Sequence, residues 1–467
     1  MEKKTMGRDL TKGHVPSQLM TFALPFMLSN ALQAVYSTVD MLVVGNVVGE
    51  TGLSAVNNAS MLIFLLTALG IGFSNSGQVL IAQMQGAGKR REMNFAIGTL
   101  FTAMTIMSLL MTAVAIFLCN PMLNLLDVQG GAYPLARDYM LICGGGLIFT
   151  GGYNMVSAVL RGMGESKMPL VFIAIASVVN IVLDILFTGI LGWSVAGAAW
   201  ATIIGQAVSF IVSVIYLYRK KEAFGFDFKL DSFKIRGDML KTLTKLGVPF
   251  AIQMSAINIS MLFVNRLINT YGGVSCSAAF GVSSKIQQIP DIITRSIGMA
   301  SSSMIAQNLA AREIDRSKKV VHTGIYICCG IYAVVAVFML LFPREIFRLF
   351  TSEERVLQYA WYCILTAVIA YPAHALMTST TSFIQGIGDA KFSLIIALLD
   401  GVVARISLSW ILGVLLGKSF FGGTLGMGEL GPAFGFFLGY NLATYVTALP
   451  STAYFFIERW RKRDLLV

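Results

Sequence analysis

The sequence is poor in charge: Asp, Glu, Lys and Arg make up only 13% of its 467 residues, about half the ~25% of an ordinary soluble domain. A soluble chain of this length would form two or three domains and could not cover their surfaces with so few charges. Histidine is scarcer, with only His14, His322 and His374, and no HExxH pair occurs, which excludes the common zinc-hydrolase designs. The six cysteines (Cys119, Cys143, Cys276, Cys328, Cys329, Cys363) lie in apolar runs without CxxC spacing. They read as core filling rather than zinc or disulfide frameworks. No GxxxxGK[ST] stretch is present, so ATP hydrolysis is not the expected energy source.

Apolar length replaces what is missing. Hydrophobic residues reach 56% and the mean hydropathy is +0.72. The apolar runs are about as long as the ~20 residues a spanning helix needs, not the ~10 of a barrel strand. The expected fold is an all-α membrane protein of twelve transmembrane helices, at 15–45, 52–84, 94–118, 137–160, 168–190, 194–217, 244–270, 276–309, 319–342, 357–383, 392–416 and 430–457. Charge precedes the first apolar run without a small-residue cleavage site, so no removed signal peptide is expected.

The net charge of +11 is not spread as a nucleic-acid surface would be. Basic residues gather before span 1 (Lys3, Lys4, Arg8, Lys12), after span 2 (Lys89, Arg90, Arg91), after span 4 (Arg161, Lys167) and throughout the 6–7 connection. They recur after span 8 (Arg312, Arg316, Lys318, Lys319), after span 10 (Lys391) and in the tail (Arg459, Arg461, Lys462, Arg463). The opposite connections hold only Arg137, Arg344, Arg348, Arg355 and Lys418. The positive-inside rule then puts both termini in the cytoplasm, with lipid contact as a secondary role of the charge.

The two halves repeat at an offset of 224. Pro25-Phe26 recurs as Pro249-Phe250, Ile81-Ala82-Gln83 as Ile305-Ala306-Gln307, and Arg161-Gly-Met-Gly-Glu-Ser-Lys167 as Gln385-Gly-Ile-Gly-Asp-Ala-Lys391. Six spans per half make the repeat parallel, giving two six-helix lobes at 1–217 and 244–467, joined by a polar linker at 218–243. Such lobes suit alternating access; no filter ring of a channel is readable.

Ionisable groups inside spans are costly enough to be functional candidates. The first half has Asp40 in span 1 and Asp184 in span 5, with Asn180 one helical turn before Asp184 on the same face. Two carboxylates and an amide oxygen suit a hard cation such as Na⁺. They equally suit a proton, or a purely structural hydrogen-bond pair. The second half does not repeat this pair: it carries Arg266, Lys285, Asp291, Arg295, Asp400 and Arg405. Asp291 and Arg295 have i,i+4 spacing and are expected to pair. Lys285, Arg266 and Arg405 either line a substrate cavity favouring an anionic group or are snorkelling and paired. His374 in span 10 is either a packing partner or a proton-sensitive cavity group. Pro25, Pro249, Pro290 and Pro372 interrupt helical hydrogen bonding, and Pro25 is a candidate hinge in the Asp40 helix. The 24 Met and 31 Phe read either as core or as an adaptable apolar cavity.

These residues resemble the multidrug and toxic compound extrusion (MATE) family over essentially the whole chain. The features that carry the resemblance are Pro25 with Asp40, the Ile-Ala-Gln segments, the Arg161-Gly162 and Gln385-Gly386 turns, Asn180 with Asp184, and Gly197-Ala-Ala-Trp-Ala-Thr202. The resemblance implies an antiporter exporting amphiphilic or cationic drugs against Na⁺ or H⁺, with no other cofactor; a monomer is expected because one chain holds both lobes of the pathway. It also implies a cation site at Asp40, Asn180, Asp184 and Thr202, with Asn154 near the same cavity. Spans 7 and 10 lack the acids of the norfloxacin-exporter branch, so the chain looks more like the DinF-like type. A flippase for a lipid-linked oligosaccharide is the alternative, weakly favoured by the basic residues of the second half. An enzyme is not expected, because no nucleophile–base pair is readable.

Overall fold

The computed structural model describes residues 9–126, 128 and 130–462, so Lys3, Lys4, Arg8 and Arg463 of the charge count lie outside the described residues. All regular structure among the described residues is helical. Nine of the described helices are long and apolar enough to cross a membrane, or ten when the bent pair Ala132–Gly145 and Leu147–Gly162 counts as one pass. The 74-residue helix Gly237–Ala310 breaks at Gly273, where the backbone turns to φ 78, ψ 179. A side chain rarely adopts that conformation and glycine does so freely, so this helix supplies two passes. The last expected span, 430–457, is two shorter helices, Gly431–Leu442 and Thr444–Ile457, which are not among the spans counted.

The departures from regular spans have local causes. Span 4 bends by 46° at Gly146, in the run Gly144-Gly145-Gly146, where helix propensity is lowest. A Cβ at Gly146 would collide with the Ile203 side chain, so the bend is packed rather than loose. Span 5 follows α-helical geometry over Lys167–Asp184 and then widens into a π segment at Ile185–Ile190. Span 11 carries π segments at Leu399–Ala404 and Ile411–Leu415. The helices run through Pro25 and Pro372 without a break.

The chain divides into two compact units. One holds the described residues up to Ala251 together with Ala306–Glu313, and the other holds Ile252–Ile305 and the described residues from Ile314 on. The first is built around Leu80, Ile97, Leu100, Val156, Val159, Leu160 and Phe172, all essentially inaccessible. Lipid tails are as apolar as these side chains, so close packing through small residues holds such helices together. Gly162 lies where a Cβ would come within 2.7 Å of the Gln78 carbonyl. Gln307 donates from its amide to the Gly162 carbonyl (2.9 Å), and Asn308 donates to the Leu10 carbonyl (3.1 Å).

The 218–243 segment, read from sequence as a polar linker, is folded onto the first unit. Phe226 and Phe233 pack on Phe101 at ring distances of 5.7 and 6.0 Å. The four phenylalanines at 224, 226, 228 and 233 outweigh the charges of the segment, because aromatic rings bury the most apolar area per residue.

In the second unit, no salt bridge joins Asp291 to Arg295 among the described residues, contrary to the spacing rule. Asp291 instead accepts a hydrogen bond from the Tyr332 hydroxyl (3.1 Å), while Arg295 is exposed. An i,i+4 ion pair gains only about 0.2–0.5 kcal/mol, and a hydrogen bond from a neighbouring helix displaces it.

Candidate cation site in the first half

The site begins with the Gly197–Thr202 run. Gly197, Ala198, Ala199 and Ala201 are buried while Trp200 points outward, so the Ser194–Arg219 helix presents a face of small residues. Gly205 continues that face: a Cβ there would lie 2.9 Å from the Ala176 carbonyl and 3.3 Å from the Asn180 Cβ. Only glycine permits this approach to the Lys167–Asp184 helix, and the approach brings Thr202 to Asn180. The Asn180 amide donates to the Thr202 hydroxyl at 3.4 Å. The amide donor is thereby used and the Asn180 carbonyl oxygen is left without a partner.

Asp40 arrives from the Val15–Val47 helix, and its carboxyl group lies within electrostatic reach of the Asp184 carboxyl. Asp40, Asn180 and Asp184 are all buried, Asp184 completely. Oδ1 of Asp40, Oδ1 of Asn180 and both carboxyl oxygens of Asp184 have no hydrogen-bond donor. A buried polar atom without a partner costs about 1–3 kcal/mol, and a charged one more. Four such oxygens are the kind of donor set that a proton, a water or a small cation would satisfy. Two adjacent carboxylates repel as anions, and a proton or a small cation between them removes the repulsion. The donor set is oxygen only, which suits Na⁺ rather than a soft metal. No group of three or more His, Cys, Asp or Glu side chains gathers among the described residues, so a transition-metal centre is not built.

Sequence reasoning missed the outer ring of this site. The Tyr36 side chain, one turn before Asp40, is in hydrogen-bonding range of Gln206 and within electrostatic reach of Asp40. The oxygen of the buried Gln206 amide has no donor, and the hydroxyl of the buried Thr188 likewise lacks a partner. Tyr36 and Thr188 lie four residues from Asp40 and Asp184, so helical spacing from the two acids was the available signal.

The remaining candidates have the following surroundings. Asn154 is half-buried and lines a small hollow with Leu66, Thr67, Met107, Ser108 and Met111. Arg266 and Lys285 are exposed. Arg405 is buried and bonded to Asp400 (2.9 Å), with its guanidinium 4.6 Å from the Tyr440 ring centre. His374 is half-buried, its ring 6.0 Å from that of Tyr332. Pro25 is buried in the Asp40 helix, and its carbonyl accepts from the Ser29 hydroxyl (2.7 Å).

The sequence profile of the MatE family matches residues 25–186 and again 249–411, two matches whose starts lie at the 224-residue offset of the internal repeat. The chain is similar to the probable multidrug resistance protein YpnP of Bacillus subtilis, 29% identical over 437 residues that cover 93% of this chain and 96% of that one. It is also similar to the multidrug export protein MepA of Staphylococcus haemolyticus, 22% identical over 399 residues covering 85% and 87%. A solved MOP-superfamily transporter from Pyrococcus furiosus shares the fold with a TM-score of 0.89 at 22% identity, covering 99% of this chain and all of that one. Both halves of the chain carry the family's profile, and together the matched residues exceed half of the sequence. The chain therefore belongs to the MatE family of multi-pass membrane transporters and is not an enzyme.

Proposed function

We propose that this transporter is a secondary antiporter that exports amphiphilic or cationic drugs across the cytoplasmic membrane in exchange for Na⁺ or H⁺. The observation that carries the reading is the set of donor-less oxygens on Asp40, Asn180 and Asp184. The ion enters between the two carboxyl groups, with Asn180 and Thr202 completing an oxygen cage, and neutralises their mutual repulsion. Asp40 shares its helix with Pro25, where a backbone hydrogen bond is missing. Filling or emptying the site thus bends or straightens that helix and changes the drug path. The lobes 1–217 and 244–467 alternate about the path, with 218–243 between them. The relatives named for multidrug resistance and export support the drug class. The basic residues support cytoplasmic termini, and two repeats on one chain support a working monomer. The absence of acids from spans 7 and 10 supports coupling through the first half, the DinF-like arrangement.

The test is ethidium efflux from cells lacking their own pumps, expressing wild type or Asp40→Asn, with and without Na⁺ and after collapse of the proton gradient. Export by wild type and not by the variant, abolished with one of the two gradients, is the expected result and names the ion. Equal export by both proteins overturns the assignment of the site.

A further inference from the structure

The 218–243 segment is held at a definite depth along the Arg90–Phe117 helix. The Thr102 hydroxyl donates to the Phe233 carbonyl (2.6 Å), and the Arg236 amide donates to the Thr99 hydroxyl (3.2 Å). Asn94 donates to the Ser232 hydroxyl (3.0 Å), which donates to Asp227 (2.7 Å). A Cβ at Gly98 would collide with the Ser232 carbonyl, so the segment lies directly on the helix backbone. The helix has 28 residues, hence a length of about 42 Å, roughly 12 Å more than a ~30 Å hydrocarbon core. Its charged start, Arg90 to Glu92, belongs to the excess. At 1.5 Å per residue the hydrocarbon then begins about eight residues in, near Gly98. The segment is fastened over 94–102, the level at which headgroups give way to acyl chains.

What it presents there is mixed in a specific way. Leu230 is 89% exposed and Ile235 42% exposed. Their neighbours Lys229 and Arg236 are exposed and make no ion pair among the described residues, whereas Lys234 is bonded to Asp231 (2.7 Å). Exposed leucines are ordinary taken singly. The Arg236 guanidinium lies 3.4 Å from the Phe95 ring centre, and Lys229 is within electrostatic reach of Asp227 and Asp231. Fixed at the start of the hydrocarbon beside these exposed cations, the apolar pair has the make-up of an interfacial anchor.

We propose that this rigid segment is a binding site for anionic glycerophospholipids: Lys229 and Arg236 take the headgroup phosphates while Leu230 and Ile235 enter the acyl layer. The apolar pair distinguishes a lipid from free phosphate, which would leave it in water.

The test uses the purified full chain in nanodiscs of equal phosphatidylglycerol and phosphatidylcholine, measuring which lipid is retained on extraction. Wild type should enrich phosphatidylglycerol, and Lys229→Gln with Arg236→Gln should lower the enrichment about fivefold per cation removed. The charge-keeping pair Lys229→Arg and Arg236→Lys should restore it, which separates lipid binding from misfolding. Leu230→Asn should weaken lipid retention, and soluble glycerophosphoglycerol should fail to compete. Equal enrichment by the Gln variant, full competition by the soluble headgroup, or unchanged retention after Leu230→Asn overturns the proposal.

Discussion

The two halves of this chain bury acids in opposite ways. In the first, Asp40 and Asp184 face each other with three carboxyl oxygens lacking donors. In the second, Asp400 is fully engaged: one oxygen accepts from Arg405 (2.9 Å) and the other from Thr447 (3.1 Å). A buried carboxylate with a donor on each oxygen is a structural part. One with empty lone pairs beside a second carboxylate costs stability, and an ion of opposite charge recovers it. Under a sequence repeat at a 224-residue offset, buried carboxyl oxygens without a donor thus occur in the first half only among the described residues.

The largest expected effects come from breaking each pair. Asp184→Asn should reduce ion-coupled export to the background of the empty membrane while raising the thermal midpoint, because it removes a buried repulsion. Asp400→Asn should do the reverse: it leaves the Arg405 charge buried without its counter-ion, at a cost of about 3–5 kcal/mol. That loss is read as reduced folded protein and a lower midpoint in detergent. Replacing both members, Asp400→Leu with Arg405→Leu, should recover most of that stability, since buried ion pairs are often neutral against apolar replacements.

A smaller effect sharpens the first half. Thr202→Val removes the acceptor for the Asn180 amide and should weaken apparent ion affinity by about two- to tenfold, matching ~0.5–1.5 kcal/mol for a hydrogen bond. Thr202→Ser should retain the wild-type value, measured as the ion concentration giving half-maximal transport.

The smallest effect lies outside the spanning helices. The hydrogen bond from Ser232 holds the Asp227 carboxyl below the usual carboxylate range in the folded protein. A depressed folded-state value stabilises the attachment above the ordinary aspartate value of about 4, and that contribution is lost as pH falls through the lower folded value. Proteolysis within 218–243 should therefore rise in acid for wild type. In Asp227→Asn the rise should be absent and the baseline slightly higher.

Much of this contrast was legible in the sequence. The all-helical membrane fold follows from apolar length, and Asp40, Asn180 and Asp184 stand out because polar residues are rare there. Thr202 came from the family resemblance, and the small-residue face that delivers it is plain once the helix contact is seen. The partners of the second-half charges were not legible. The i,i+4 rule paired Asp291 with Arg295, but Tyr332, forty-one positions away in sequence, takes the bond. The 218–243 segment was read by its lysines, whereas its four phenylalanines decide where it lies. The π segment at Leu399–Ala404, which contains Asp400 and ends directly before Arg405, has no signature in residue periodicity. In each case a contact between distant elements overrode a local rule.

The central claim is tested most directly in proteoliposomes, by imposing an inward Na⁺ or proton gradient and following drug movement by Asp184→Asn and by the Asp400→Leu, Arg405→Leu double variant. The account predicts that the double variant transports like wild type while Asp184→Asn, equally folded, does not respond to either gradient. Gradient-driven transport that survives in Asp184→Asn and fails in the folded double variant would place the coupling site in the second half and contradict it.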